Sequence, residues 1–165
     1  MDKPIVTPKL PKIKNYFKPD RVVKTKIVVD SPEFLPTYAH ASDACCDLKA
    51  NIPEGEINIG SGEVVKINTG IKIQIPLGFE VQIRCRSGWA TKGLTMVNGI
   101  GTIDSGFIGA IMVIVANISN DVLTVKHLDR IAQMTIKPVW YFDFDVVDTI
   151  DNTDRGEKGF GSSGD

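Results

Sequence analysis

The chain has 165 residues, 42% hydrophobic and 24% charged, the make-up of one ordinary globular domain able to bury roughly two-thirds of its unfolded surface without staples. A formal net charge of −1 argues against the basic surface that holds nucleic-acid polymers, so no such polymer is expected as a partner. No apolar run approaches the roughly 18 residues of a membrane span, and no apolar signal segment opens the chain, so no membrane association is expected.

Residues 1–21 hold Pro4, Pro8, Pro11 and Pro19, with six Lys/Arg against two Asp. Prolines at that spacing exclude a helix and favour an extended basic arm, either loose or laid across a neighbouring subunit through Ile5, Val6, Tyr16 and Phe17. From residue 22 to 150 the apolar period is two. Strands are expected over 22–29, 63–69, 71–75, 79–85, 110–118, 122–125, 130–138 and 141–147. Turn signals such as Pro53-Glu54-Gly55, Pro76-Leu77-Gly78 and Asn98-Gly99 separate them. No window carries a helical stripe, and 87–92 is the best place for a single turn. Many short strands with glycine-rich turns imply an all-β sandwich, barrel or jelly roll.

Residues 151–165 form a glycine-rich tail that is expected to be loose when alone, because glycine costs the most backbone entropy to order. Its residue types nonetheless suit a nucleotide. Arg155 can fork two phosphate oxygens, the backbone at Gly161 can approach an anion, Ser162 and Ser163 donate hydroxyls, and Phe160 offers a face for stacking.

Cys45, Cys46 and Cys85 are an odd set with two adjacent members, a poor disulfide framework that suits a reducing, intracellular compartment such as the cytoplasm. With His40 and His127 the only histidines, a structural zinc site and a Ser/Cys–His nucleophile are both weakly supported. The polar residues that a β-protein does not need fall in four further places. These are Asp47, the run Arg84 to Ala90, the run Asn98 to Gly109, and Asp129-Arg130-Ile131-Ala132-Gln133. Singly, each has a structural reading: Asp47 caps a turn, Arg86 pairs with a carboxylate, Asp104 begins a turn, Gln133 decorates a strand.

Taken in order, these segments and the tail resemble the five motifs of the trimeric deoxyuridine triphosphatase (dUTPase) family, from Thr37 to the C-terminus. Arg86-Ser87-Gly88-Trp89-Ala90 and the ending from Arg155 to Gly164 are the most specific. The resemblance implies a jelly-roll subunit and a homotrimer with shared active sites. One chain supplies the segments of Asp47, Arg86 and Gln133, a second that of Asp104, and a third its tail. It implies hydrolysis of dUTP to dUMP and pyrophosphate with Mg²⁺, by water attack at the α-phosphorus. In that frame Asp104 activates the water, Asp47 holds the metal through water, and Arg86, Ser87, Gly88 and Gln133 contact phosphate. Asn98, Gly99, Thr102 and Ile103 lie in a β-hairpin that reads uracil, and Phe107 packs under deoxyribose. Arg155, Phe160, Gly161, Ser162 and Ser163 close as a lid.

The chain departs from the family pattern in two places. Cys45 and Cys46 stand where the family has Gly-Tyr, and Gly106-Phe107-Ile108-Gly109 replaces acidic-Tyr-Arg-Gly. A dCTP deaminase of the same fold is the rival enzyme. It should carry a glutamate shortly after Gly109, where this chain runs Ala110 to Ala116 without an acid. A nucleotide-dependent regulatory binding protein is the alternative of another class.

Overall fold

The computed structural model describes residues 22–157 and Gly159. The expected arm at 1–21 and the lid residues Phe160, Gly161, Ser162 and Ser163 lie outside the described residues.

Period-two burial sets the architecture. In β4 (Val64–Gln74), Ile67, Thr69, Ile71 and Ile73 are buried while Lys66, Lys72 and Gln74 face out. This strand lies between β1 (Lys26–Val29) and β8 (Ala110–Asn117), and β8 also pairs with β6 (Leu94–Met96). The result is an antiparallel sheet of order β1-β4-β8-β6. A second antiparallel sheet has the order β2-β10-β5-β7, from β2 (Cys46–Lys49), β5 (Phe79–Cys85), β7 (Gly101–Ile103) and β10 (Arg130–Pro138). A separate ribbon joins β3 (Glu56–Ile59) to β9 (Leu123–Lys126).

Leu94, Ile111, Val113 and Val115 of the first sheet and Leu48, Val81, Ile83 and Ile131 of the second belong to one apolar core. Each such side chain contributes about 1.5–3 kcal/mol by leaving water. Two buried polar groups are satisfied inside this core. Thr69 Oγ1 donates to Ile111 O at 2.8 Å, and Asn117 Nδ2 donates to Ile59 O at 2.8 Å and to Asp121 O at 2.7 Å. Helix is limited, among the described residues, to α1 (Ser87–Ala90) and a 3₁₀ turn over Pro32–Phe34. The single turn expected at 87–92 is therefore present. Among the described residues no helix is long and apolar enough to cross a membrane.

The strands differ from expectation in four ways. The expected strands 63–69 and 71–75 are one strand, because Gly70 (φ 68°) lets the chain continue through a kink and leaves room for Phe34. A Cβ at Gly70 would stand 2.6 Å from the Phe34 ring. The strand expected at 22–29 is shortened to its second half. β2, β3, β6 and β7 are too short to show a period in sequence. The stretch 141–147 alternates like a strand yet joins no sheet. Trp140, Phe142, Phe144 and Val146 are all exposed, and Phe142 stacks on Phe144 at 5.2 Å. A strand needs a hydrogen-bonding neighbour, and among the described residues this chain offers it none.

The segment 94–104 is also not a two-strand ladder. Its two strands pair with different sheets, β6 with β8 and β7 with β5, so the turn between them crosses from one sheet to the other. Gly101 permits this close crossing, since a Cβ there would lie 3.3 Å from Met96 Cε and 3.4 Å from Ile83 Cβ.

Candidate active site

The second sheet brings three sequence-predicted residues together at one end. Asp47 of β2 lies directly opposite Gln133 of β10, and Gln133 lies opposite Arg84 of β5. Two residues past Arg84, Arg86 caps the start of α1. Its guanidinium Nη1 bonds Asp47 Oδ1. Gln133 Nε2 donates to Cys85 O at 3.0 Å, which fixes the amide between the same two strands. Asp47, Arg86, Ser87 and Gln133 line an open cleft of about 470 Å³, with His40 and Cys45 also on its wall. A Cβ at Gly88 would meet nothing within 4 Å, so that stretch of backbone is open to close approach.

Arg130 completes the cluster through an irregularity. Its Nη1 bonds Asp47 Oδ2 at 3.1 Å, so the two oxygens of one carboxylate each hold a different arginine. In a regular strand, residues three apart point to opposite faces. The register of β10 on β2 shifts between Arg130 and Ala132, and both Ile131 and Ala132 are buried. That bulge turns Arg130 onto the face of Gln133 and Asp47. The carbonyl of Arg130 in turn accepts Trp89 Nε1 at 3.1 Å, and Lys92 Nζ stands 4.9 Å from the centre of the Trp89 ring. Helix α1 and the start of β10 are thereby tied together.

Two guanidiniums, Arg86 and Arg130, share one carboxylate, and Asp43 on the same wall brings the formal charge of the cleft to balance. Burial holds the Arg86 guanidinium below its ordinary pKa, and the neighbouring Arg130 charge adds to that lowering. Arg86 and Arg130 are the cleft groups able to make charge-assisted bonds to an incoming anion.

Asp104 is not part of this cleft. In the register of β7 on β5, Ile103 pairs with Val81, so one further step places Asp104 opposite Glu80. Glu80 is six residues before Arg86 along β5, a separation of about 20 Å at strand rise. Asp104 is exposed, and its carbonyl accepts the N–H of Phe107 at 3.0 Å. Phe107 is also exposed, with its ring over Gly109, where a Cβ would lie 2.7 Å from Phe107 Cζ. Asn98 and Gly99 form an exposed turn closed by Gly99 N–H to Met96 O at 3.1 Å, with Thr102 exposed and Ile103 half-buried beyond it. Arg155 lies in a terminal turn in which Gly156 N–H donates to Thr153 O at 2.9 Å. Predicted site residues thus fall into one assembled set and two dispersed ones.

A family model for dUTPase matches residues 33–164. The chain belongs to the dUTPase family. The deoxyuridine 5'-triphosphate nucleotidohydrolase of Roseobacter denitrificans is 44% identical over 131 residues, which cover 79% of this chain and 86% of the relative. A solved mutant of the dUTPase of Staphylococcus bacteriophage 80alpha, with dUpNHpp, superposes with a TM-score of 0.75 at 24% identity, covering 87% of this chain and 99% of the other. A mutant dUTPase of phage phi11 of S. aureus, whose structure reveals coordination of a structural Mg(II) ion, gives a TM-score of 0.66 at 20% identity over 77% of this chain and 98% of the other. Family membership makes this chain an enzyme that hydrolyses dUTP, on an all-β dUTPase fold.

Sequence reasoning missed Arg130 as a residue of this cleft. It lies in the quoted run Asp129 to Gln133, but strand alternation puts it on the wrong face. Two adjacent apolar residues, Ile131-Ala132, between two polar ones are the sequence trace of the bulge. Among the described residues no cluster of three or more His, Cys, Asp or Glu could hold a metal. A second, apolar cavity of about 210 Å³ lies beside β1 and β10, lined in part by Tyr38, Cys46, Ile73 and Met134. None of the predicted site residues lines it.

Proposed function

We propose that this chain hydrolyses dUTP to dUMP and pyrophosphate in a homotrimer whose sites are shared between subunits, with Mg²⁺ as cofactor. One observation carries this reading: Asp47, Arg86 and Gln133 share a cleft, while Asp104, just past β7, lies beside the far end of β5, about 20 Å from Arg86 at strand rise. Within a single chain Asp104, the proposed base, therefore stands away from the phosphate-binding arginine. A second copy supplies it if the same contact repeats around a threefold axis and closes. The exposed run from Trp140 to Ile150 gives such an assembly apolar surface to bury.

The residues divide the labour by chemistry. Arg86, the Ser87 hydroxyl, the open backbone at Gly88 and the Gln133 amide receive the phosphates. Asp104 of the second copy orients a water and takes its proton as the oxygen attacks the α-phosphorus, while the bond to the pyrophosphate oxygen breaks. General-base help of this kind is worth roughly 10²–10⁴-fold. The lone carboxylate of Asp47 suits a hard cation that keeps most of its waters and takes oxygen from the substrate, so Asp47 would hold Mg²⁺ through water. When bound, the ion neutralises phosphate charge. Backbone groups at Gly99, Thr102 and Ile103, with the Asn98 amide, read the uracil edge. The thymine methyl is rejected by clash and cytosine by unpaired polar groups. Phe107 packs under deoxyribose. Arg155, Phe160, Gly161, Ser162 and Ser163 of a third copy close over the triphosphate, which makes residues 151–165 a lid and 22–150 the catalytic domain. Three free cysteines fit a reducing cytoplasmic setting.

Initial rates on dUTP, UTP, dTTP and dCTP with Mg²⁺ test the reading, on the full chain and on a chain ending at Thr153. Strong preference for dUTP and loss of most turnover on truncation are expected. Ammonia release from dCTP points to the deaminase, and tight dUTP binding without turnover points to a regulatory module.

A further inference from the structure

We propose that Arg130 is a positioning residue of the reaction, holding the Asp47 carboxylate in place when Arg86 leaves it for the substrate. The proposal rests on the reading above, in which Arg86 meets phosphate and Asp47 faces the metal. Asp47 has 12% of its side chain exposed and a separate arginine on each oxygen. A triphosphate entering the cleft competes for Arg86, whose guanidinium lines it. Arg86 cannot stay fully committed to Asp47 and also fork a phosphate. With Arg86 drawn away, a carboxylate so little exposed would be left short of a partner, which is costly. Arg130 removes that penalty because it occupies the other oxygen.

Three features show that Arg130 is aimed at Asp47 by the backbone. The bulge at Ile131 turns it to the Asp47 face. Trp89 Nε1 anchors its carbonyl. The guanidinium is about half exposed, so its bond to Asp47 does not depend on burial against the core. Arg86 and Arg130 are therefore not equivalent. One exchanges a carboxylate for phosphate, and the other keeps the carboxylate oriented throughout.

The test uses the full-length protein with Arg130→Ala, Arg130→Lys, Arg86→Ala and Asp47→Ala, and with Asp47→Ala combined with each arginine-to-alanine change. Measured quantities are the Mg²⁺ concentration for half-maximal turnover, kcat and KM for dUTP, Mg²⁺-free calorimetric binding of a non-hydrolysable dUTP analogue, and melting temperature. Arg130→Ala is expected to raise the Mg²⁺ requirement about 10–100-fold, the usual cost of losing a partner that orients a metal-facing group. Mg²⁺-free analogue binding should stay within about threefold of wild type, while Arg86→Ala weakens it by more. Arg130→Lys should recover part of the loss. In the Asp47→Ala background, Arg130→Ala should add nothing to the Mg²⁺ requirement, whereas Arg86→Ala should still weaken binding.

An additive effect of Arg130→Ala on Asp47→Ala overturns the proposal. So does a loss of Mg²⁺-free binding equal to that of Arg86→Ala, which would make Arg130 a phosphate ligand. If Arg130→Ala does not fold, Arg130→Gln and Arg130→Lys carry the same comparison. An unchanged Mg²⁺ requirement in Asp47→Ala alone instead sinks the metal-facing reading of Asp47.

Discussion

The cleft around Asp47 and the stretch from Val139 to Gly156 are built in opposite ways. At the cleft, the side chains of Asp47, Arg86 and Arg130 are already tied together, Gln133 is held by the Cys85 carbonyl, and the carboxylate at the centre is nearly covered. In the C-terminal stretch, large apolar side chains stand in water: Trp140 is 89% exposed and Ile150 90%. The cleft is held by its own bonds, and Asp104 is not among its residues. The exposed stretch is pinned at its ends by Val139 N–H to Gly78 O and Gly156 N–H to Thr153 O, and joins no sheet between them. Folding of one chain organises the first region, and the proposed homotrimer would organise the second.

The sharpest way to break that contrast is complementation. Asp104→Asn and Arg86→Ala should each lower kcat by roughly 10²–10⁴-fold. Unfolded together and refolded as a mixture, the two chains should regain dUTP turnover, because mixed trimers contain sites with both residues intact. A mixture as inactive as its parents would place both residues in one chain's site. A smaller effect is expected from Phe142→Ser combined with Phe144→Ser. Both rings are exposed in the single chain, so far-UV circular dichroism should be unchanged while light scattering shows a shift from trimer to smaller species. At about 1.5–3 kcal/mol per buried ring, association should weaken by at least about tenfold. An unchanged mass would mean that these rings are not interface groups.

The mildest test concerns the adjacent cysteines. Cys45 lines the cleft, whereas burial pushes the Cys46 thiol up to about 11. Iodoacetamide reaches the more accessible Cys45 before the buried Cys46, whose thiol must lose its proton to react, so labelling near pH 8 should spare Cys46 and extend to it as the pH approaches 11. Peptide mapping that finds Cys46 labelled first at pH 8 would show that β2 opens readily.

The sequence made some of this legible and hid the rest for physical reasons. The all-β class and the single turn at α1 follow from period-two patterning and turn chemistry, whereas the join of Asp47, Arg86, Ser87 and Gln133 in one cleft was legible only through the resemblance to the dUTPase motifs. Arg130 was hidden because alternation is blind to a one-residue bulge. The strand read at 141–147 shows the reverse failure. Its alternation is genuine, but a sequence pattern records which residues seek burial and not whether the partner is on the same chain. The turn at Asn98-Gly99 was correctly placed, yet its two flanking strands belong to different sheets. Only long-range register decides that.

That turn also sets how the protein ages. Asn98 followed by Gly99 is the pairing most prone to spontaneous deamidation, in which the glycine nitrogen attacks the asparagine side chain and expels ammonia. Here the Gly99 N–H is engaged by the Met96 carbonyl at 3.1 Å, so the attacking nitrogen is held until the turn opens. The lifetime of Asn98 thus reports how much of the time the loop is open, and mass spectrometry of stored protein should find deamidation slower here than in a free peptide of residues 94–104. Each conversion replaces an amide with a carboxylate at the edge proposed to read uracil, so selectivity should decline with storage before stability does.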